Sequence, residues 1–203
     1  ILGVSEAILA SWGPHFFAQI RARLPEVEFE FHAQRSPVVL DRLRSGEYMV
    51  GICTGSSDAD TDLVSEVIRQ EPMVIIPSGL QSSKYKPGKP LQVLTIESRS
   101  GAWGSIEENM QRLNLSRVVS VESFFAVAQM ALSDFGHGLV PIGVAHTLGI
   151  DDRALIKLPR QHATRPTLTR PVRFVARKSM FAQVLVRSFY AEASMHAAAM
   201  DVD

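Results

Sequence analysis

The 203 residues read as an α/β protein of two lobes with a ligand cleft between them, on three observations. Short apolar, strand-like segments alternate with amphipathic, helix-like ones, the order that builds a parallel sheet. The alternation runs through two blocks of similar size. Small polar residues recur where strands hand over to helices, and open α/β sheets bind ligands beyond the carboxyl ends of their strands.

The elements follow in order. Ile1 to Ser5 is a short apolar strand. Ile8, Trp12, Phe16, Ile20 and Leu24 then recur every four residues, one face of a helix that Pro25 ends. Pro14 requires either a first-turn position or a kink. Val27, Phe29 and Phe31 alternate with Glu28, Glu30 and His32, the period of a half-buried strand. Ser36-Pro37 opens a helix, Ser36 as cap and Pro37 at the first helical position, which stops near Gly46. Met49 to Cys53 is a buried strand, followed by Thr54-Gly55 and a polar loop through Asp62.

The second block places strands at 63–68 and 73–76 around a Gln70-Glu71-Pro72 break, and a polar loop at 81–90. Strands are expected at 91–96, 118–121, 139–142 and 155–158, and helices at 103–113, 124–132 and 144–148. A strand at 172–176 and a helix at 181–199, with Val184, Leu185, Ser188 and Phe189 inward, complete the chain.

Composition excludes several classes. Apolar residues at 46% and charged ones at 21% fit a globular protein and not a disordered one. Lys and Arg number 21, as do Asp and Glu, so no net charge draws the chain to nucleic acid or anionic lipid. A single cysteine, Cys53, excludes an internally disulfide-stapled scaffold. No apolar run approaches the ~18 residues of a membrane span. The chain opens at Ile1 without methionine or leader, and reads as a fragment beginning at a strand or a processed product.

Ser5-Glu6, Ser36, Glu97 to Gly101 and Glu122-Ser123 all sit at strand-to-helix junctions. Helix N-termini carry orphan N–H groups and partial positive charge, so several facing one cleft suit a carboxylate or another small anion. The alternative is that each serine caps its own helix. Glu6 and Glu97 suit a cationic group, and Arg35 and Arg99 an anionic one.

Ser123, Asp134 and His137 lie close in sequence, yet no Gly-x-Ser-x-Gly elbow accompanies them. Gly136-His137-Gly138 precedes a strand and lacks a third glycine, so it reads as a turn and not a dinucleotide fingerprint. The six histidines, His15, His32, His137, His146, His162 and His196, show no metal spacing. Cys53 reads as a small buried hydrophobe, with redox sensing as the alternative. Arg153, Lys157, Arg160, Arg165, Arg170, Arg173, Arg177 and Lys178 form a basic run with no acid. It reads as a solvated face, with a nucleic-acid surface as the sharper alternative. Trp12, Phe16, Phe17, Phe29 and Phe31 are many large apolar groups for two adjacent elements: core packing explains one face of each, and apolar residues on both faces would favour a homodimer interface.

Three segments carry a resemblance: 24–29 (Leu-Pro-Glu-Val-Glu-Phe), 43–52 (Leu-Arg-Ser-Gly-Glu-Tyr-Met-Val-Gly-Ile) and 135–141 (Phe-Gly-His-Gly-Leu-Val-Pro). In this order they resemble the effector-binding region of LysR-type transcriptional regulators, over essentially the whole chain. Met49 stands where that family usually has aspartate, and Ser133-Asp134 replaces a small-residue pair. The resemblance implies two Rossmann-like lobes joined by two crossovers, similar to type 2 periplasmic binding proteins. Lobe one is expected at 1–69 plus 172–203 and lobe two at 70–171. By position it implies ligand contacts from Ser5, Glu6, Ser36, Thr54, Ser98, Ser100, Gly101, Ser123, Pro141 and Ile142.

The function implied is non-enzymatic sensing of a small anion or aromatic metabolite, without cofactor or metal, by a cytoplasmic homodimer or tetramer. DNA would be contacted only through an N-terminal winged helix-turn-helix that this chain does not contain. The alternative is an extracytoplasmic solute-binding protein of a transporter.

Overall fold

A computed structural model describes residues 1–55, 62–81, 84–86, 88–98, 103–156, 158, 160–161, 165–166 and 168–200. The chain forms two compact units: Ile1–Gln70 with Pro171–Asp203, and Glu71–Arg170. Unit one begins β1 (Leu2–Ser5), α1 (Glu6–Leu9), α2 (Gly13–Arg23), β2 (Phe31–Gln34), α3 (Ser36–Ser45) and β3 (Val50–Cys53). The chain passes into unit two along β4 (Leu63–Ile76) and a 3-10 turn (Ser78–Leu80). There it forms β5 (Leu91–Ile96), α4 (Trp103–Arg112), β6 (Leu115–Val121), α5 (Phe124–Leu132), β7 (His137–Pro141) and α6 (Ile142–Thr147). A small antiparallel pair, β8 (Arg160–Gln161) and β9 (Arg165–Pro166), follows. The chain returns along β10 (Thr169–Arg177) and ends in α7 (Lys178–Phe181) and α8 (Val184–Ala199).

In unit one the strand order is β2-β1-β3-β10. β1 runs parallel to both neighbours, with Leu2 opposite Phe31 and Val50, while β10 is antiparallel to β3 with Phe174 opposite Ile52. Alternation sends successive side chains to opposite faces. Leu2, Val4, Val50, Ile52, Phe174 and Ala176 join Phe16, Phe17 and Ile20 of α2 and Phe189 and Ala193 of α8 in one core cluster. Val39, Leu40 and Leu43 of α3 pack with Tyr48, Cys53 and Val175 in a second. Each such large side chain contributes roughly 1.5–3 kcal/mol by leaving water.

In unit two, Met73 to Ile76 of β4 pair antiparallel with β7, and β7 and β6 flank β5 in parallel. Helix α5 packs on β7 and β5, burying Phe124, Val127, Ala128 and Ala131. Trp103, Ile106 and Met110 of α4 are also buried.

Several expectations are corrected. The first long helix is broken at Ala10 to Trp12, because Pro14 has no N–H with which to continue the ladder and instead opens α2. The strand expected at 27–31 is β2 at Phe31–Gln34. Val27 N–H is bonded to Leu24 C=O in the turn closing α2, and pairing begins only where Leu2 N–H reaches Glu30 C=O. The two strands expected around Pro72 are one, β4, in which Met73 N–H donates to Leu168 C=O. Among the described residues of 155–158, Ile156 makes a single bridge, to Ile75. The last helix is interrupted at Ala182-Gln183, which shifts its phase. Val186, Phe189, Ala193 and Ala197 are buried, while Val184 and Leu185 are 71% and 47% exposed.

Two glycines carry the turns and contacts of α3. Gly46 ends the helix at φ 87°, a left-handed conformation that suits residues without a Cβ. Gly3 lets β1 approach Tyr48: a Cβ there would sit 2.3 Å from Tyr48 Cδ2 and 3.0 Å from Val39 Cγ1. Gly3→Ala is therefore expected to cost about 1–3 kcal/mol by overpacking, read as a lower urea midpoint. Gly104→Ala in α4, where a Cβ meets nothing within 4 Å, is expected to be neutral or stabilising by up to about 1 kcal/mol.

Candidate functional site

The parallel strands of each unit gather the candidate residues at their carboxyl ends. In unit one, β1 ends at Ser5 and leads into Glu6 of α1, β2 leads through Arg35 into Ser36, and β3 leads into Thr54. Because β1 is parallel to β2 and β3, all three departures lie on one sheet edge. In unit two, β5 leads into Glu97 and Ser98, β6 into Glu122 and Ser123, and β7 into Ile142 directly after Pro141. Glu97 N–H donates to Val121 C=O at 2.9 Å, which ties the first two departures together.

Ser36 does not cap α3. The cap position belongs to Arg35, and Ser36 is the first helical residue with Pro37 behind it. Its hydroxyl turns sideways to β3: Ser36 Oγ lies 3.0 Å from Thr54 Oγ1 and accepts from Thr54 N–H at 3.2 Å. Both residues are buried, at 5% and 3% exposure. Ser5 precedes the four-residue α1 without a side-chain cap bond and is also buried. Glu6 is half-buried in the first turn of α1. Ser123 does cap its helix, accepting from Ala126 N–H at 3.5 Å. Ser98 sits in an exposed turn, Pro141 is buried at the cap position of α6, and Ile142 is half-buried. Ser100 and Gly101 lie outside the described residues.

Asp134 and His137, close to Ser123 in sequence, are engaged elsewhere. Ser78 Oγ donates to Asp134 Oδ1 at 2.7 Å, and Ser78 N–H donates to His137 Nδ1 at 3.0 Å. Both side chains therefore serve the 3-10 turn after β4. Histidines 15, 32 and 146 meet Gln19, Glu30 and Asp152, and no group of three or more metal-ligating side chains occurs among the described residues.

Three members of the basic run are held by the protein itself, while Arg153 and Lys178 are exposed. Arg170 is 1% exposed and paired with Glu71, Arg173 reaches Ser65 Oγ at 3.4 Å, and Arg177 donates to Leu43 C=O at 2.8 Å. Lys157 and the side chains of Arg160 and Arg165 lie outside the described residues. The Glu71–Arg170 pair is the feature sequence reading passed over. Its signal was a carboxylate next to Pro72, directly before the apolar run Met73 to Ile76.

Cys53 is fully buried, and burial pushes its thiol up from an ordinary 9.0 to about 11, against smaller downward pulls from the Gly55 backbone and Arg173. The thiolate that redox sensing needs is thus suppressed.

Parallel strands that open into helices at one edge, repeated in two units, define an α/β ligand-binding architecture. A profile of the family described as "LysR substrate binding domain" matches residues 1–198. The chain belongs to that family, the effector-binding part of LysR-type transcriptional regulators. An uncharacterised HTH-type transcriptional regulator of Vibrio cholerae is 23% identical over 177 residues, 87% of this chain and 58% of that protein. The chain thus spans just over half the length of that relative.

Two solved structures share the fold, which is type 2 periplasmic-binding-protein-like. The sulfate-bound regulatory domain of the OxyR2 E204G mutant from Vibrio vulnificus has a TM-score of 0.74 at 20% identity, covering 97% of this chain and 93% of its own. The effector-binding domain of QuiR in complex with shikimate has a TM-score of 0.74 at 14% identity, covering 97% and 95%. The family match does not favour the solute-binding alternative. No helix among the described residues is long and apolar enough to cross a membrane.

In the native fold Cys53 is expected to resist Ellman's reagent at pH 8 and to react fully once urea unfolds the chain. The fold keeps a proton that the unfolded chain sheds above its ordinary value of 9.0. Stability should therefore fall as pH rises from 9.0 to about 11, at about 1.4 kcal/mol per pH unit, and Cys53→Ala should remove that slope in urea melts.

Proposed function

We propose that this chain is the small-molecule sensor of a cytoplasmic LysR-type transcription regulator, contacting effector through Ser5, Glu6, Ser36, Thr54, Ser98, Ser123, Pro141 and Ile142. The observation that carries the assignment is the Ser36–Thr54 pair at the carboxyl edge of unit one. The two hydroxyls hold two protons, and their mutual bond uses one. Whichever residue donates in that bond, the other hydroxyl remains a donor for a carboxylate oxygen. Family membership and the shikimate held by QuiR support a carboxylate as the first class to test.

The sensor acts by population shift: an effector that favours one arrangement of the chain biases the regulator's assembly. DNA binding belongs to another part of the regulator, and the sensor needs neither cofactor nor metal. The proposed assembly is a homodimer through unit one. A groove of about 690 Å³ lies between α2 and the approach to β2, lined by Phe17, Pro25, Val27 and Phe29 among others, with Arg21 and Glu28 on its walls. Opposite charges on one apolar groove are self-complementary across a two-fold axis. β2 also forms an end of the strand order, leaving an edge for the partner.

Calorimetry with shikimate and related small carboxylates tests the site. For any that binds, Ser36→Ala and Thr54→Val should each raise Kd about tenfold, since a hydrogen bond to a charged group contributes about 1.5 kcal/mol or more. Unchanged affinity in both folded variants removes the pair from the site. For the interface, Arg21→Glu should shift sedimentation velocity toward monomer and Arg21→Glu with Glu28→Arg should restore the dimer. A monomeric wild type defeats that part.

A further inference from the structure

Glu71 and Arg170 are the first and last residues of unit two. Their side chains are 0% and 1% exposed. Arg170 Nε donates to Glu71 Oε2 at 2.8 Å, and Arg170 Nη2 lies 2.7 Å from the same oxygen. The guanidinium carbon also lies 5.1 Å from the ring centroid of Phe124. Phe124 is 4% exposed and begins α5, directly after its cap Ser123. Three segments far apart in sequence thus meet at one guanidinium: the entry strand β4, the return strand β10 and the first turn of α5.

An apolar trio would hold these segments together by contact alone. A buried ion pair does more, because its charges tolerate desolvation only at close, oriented geometry. The planar guanidinium adds a second directional contact by stacking on an aromatic face. We propose that the Glu71–Arg170 pair, stacked on Phe124, is a conformational clamp that ties both crossings to the N-terminal turn of α5. A displacement of either crossing is then carried to Ser123 and to the two amides that depend on it. Ala126 N–H is bonded to Ser123 Oγ and Val127 N–H to Ser123 C=O. The clamp rests on contacts within unit two and not on the effector assignment, so a failed effector screen leaves it standing.

Hydrogen exchange in the ligand-free intact chain tests it. Glu71→Gln and Arg170→Met should each speed exchange at Ala126 and Val127 at least tenfold, with Phe16 to Ile20 of α2 unchanged. The doubly apolar Glu71→Leu with Arg170→Met should remain folded, because well-packed replacements of buried ion pairs often do. It should nevertheless exchange as fast at Ala126 and Val127 as the single variants. Wild-type exchange at those two amides in the folded variants, or acceleration spread equally over both units, overturns the clamp. If the charge variants do not fold, Phe124→Leu decides, since it leaves the ion pair intact: faster exchange at the two amides supports the clamp and wild-type exchange overturns it.

Discussion

A chain that leaves one compact unit and later returns must cross twice, and that double crossing constrains the rest of the protein. β4 and β10 are each shared between units, so each must satisfy two environments along one strand. Unit one takes β10 antiparallel to β3, and unit two takes the second half of β4 antiparallel to β7. Where the crossings meet unit two the chain buries a carboxylate and a guanidinium instead of apolar side chains. Breaking such a pair strands a charge away from water, so the two crossings are bound to the same local geometry.

Parallel strands give the candidate site its logic. Strands parallel to one another put their strand-to-helix junctions on one edge, so residues distant in sequence become neighbours without any local motif. Ser36 and Thr54 show this: 18 positions apart, they meet because β1 pairs in parallel with both β2 and β3. Pro37 contributes by holding the second helical position, which leaves Ser36 inside the helix and the cap to Arg35. Ser123 has the opposite fate. Its hydroxyl serves the helix that follows, accepting from Ala126 N–H.

Burial also decides what the conspicuous residues mean. Cys53 reads as a packing residue in sequence and is one: its thiol is held protonated by the low-polarity core of α3, Tyr48 and Val175. The basic run reads as a surface feature, yet Arg170, Arg173 and Arg177 are joined to Glu71, Ser65 and Leu43. A run of like charges along a strand alternates between faces and environments, so counting charges gives no surface until the neighbours are known.

Periodicity and punctuation made most elements legible. The α3 start at Ser36-Pro37, its stop at Gly46 and the limits of α5 at Phe124 and Leu132 follow from local sterics and from apolar side chains of one phase. The ordered segments around Pro25, Gly46 and Gly138 were enough to indicate the family that the profile match then showed. Other features depended on long-range partners. β2 begins where Glu30 finds Leu2, β4 runs through Pro72 because Met73 has Leu168, and α8 turns its Val186 and Phe189 face inward after the break at Gln183. Local sequence sets which backbone conformations are cheap. Which hydroxyl turns toward a neighbour, and which charge is buried, are settled only when segments far apart in the chain exclude water from each other.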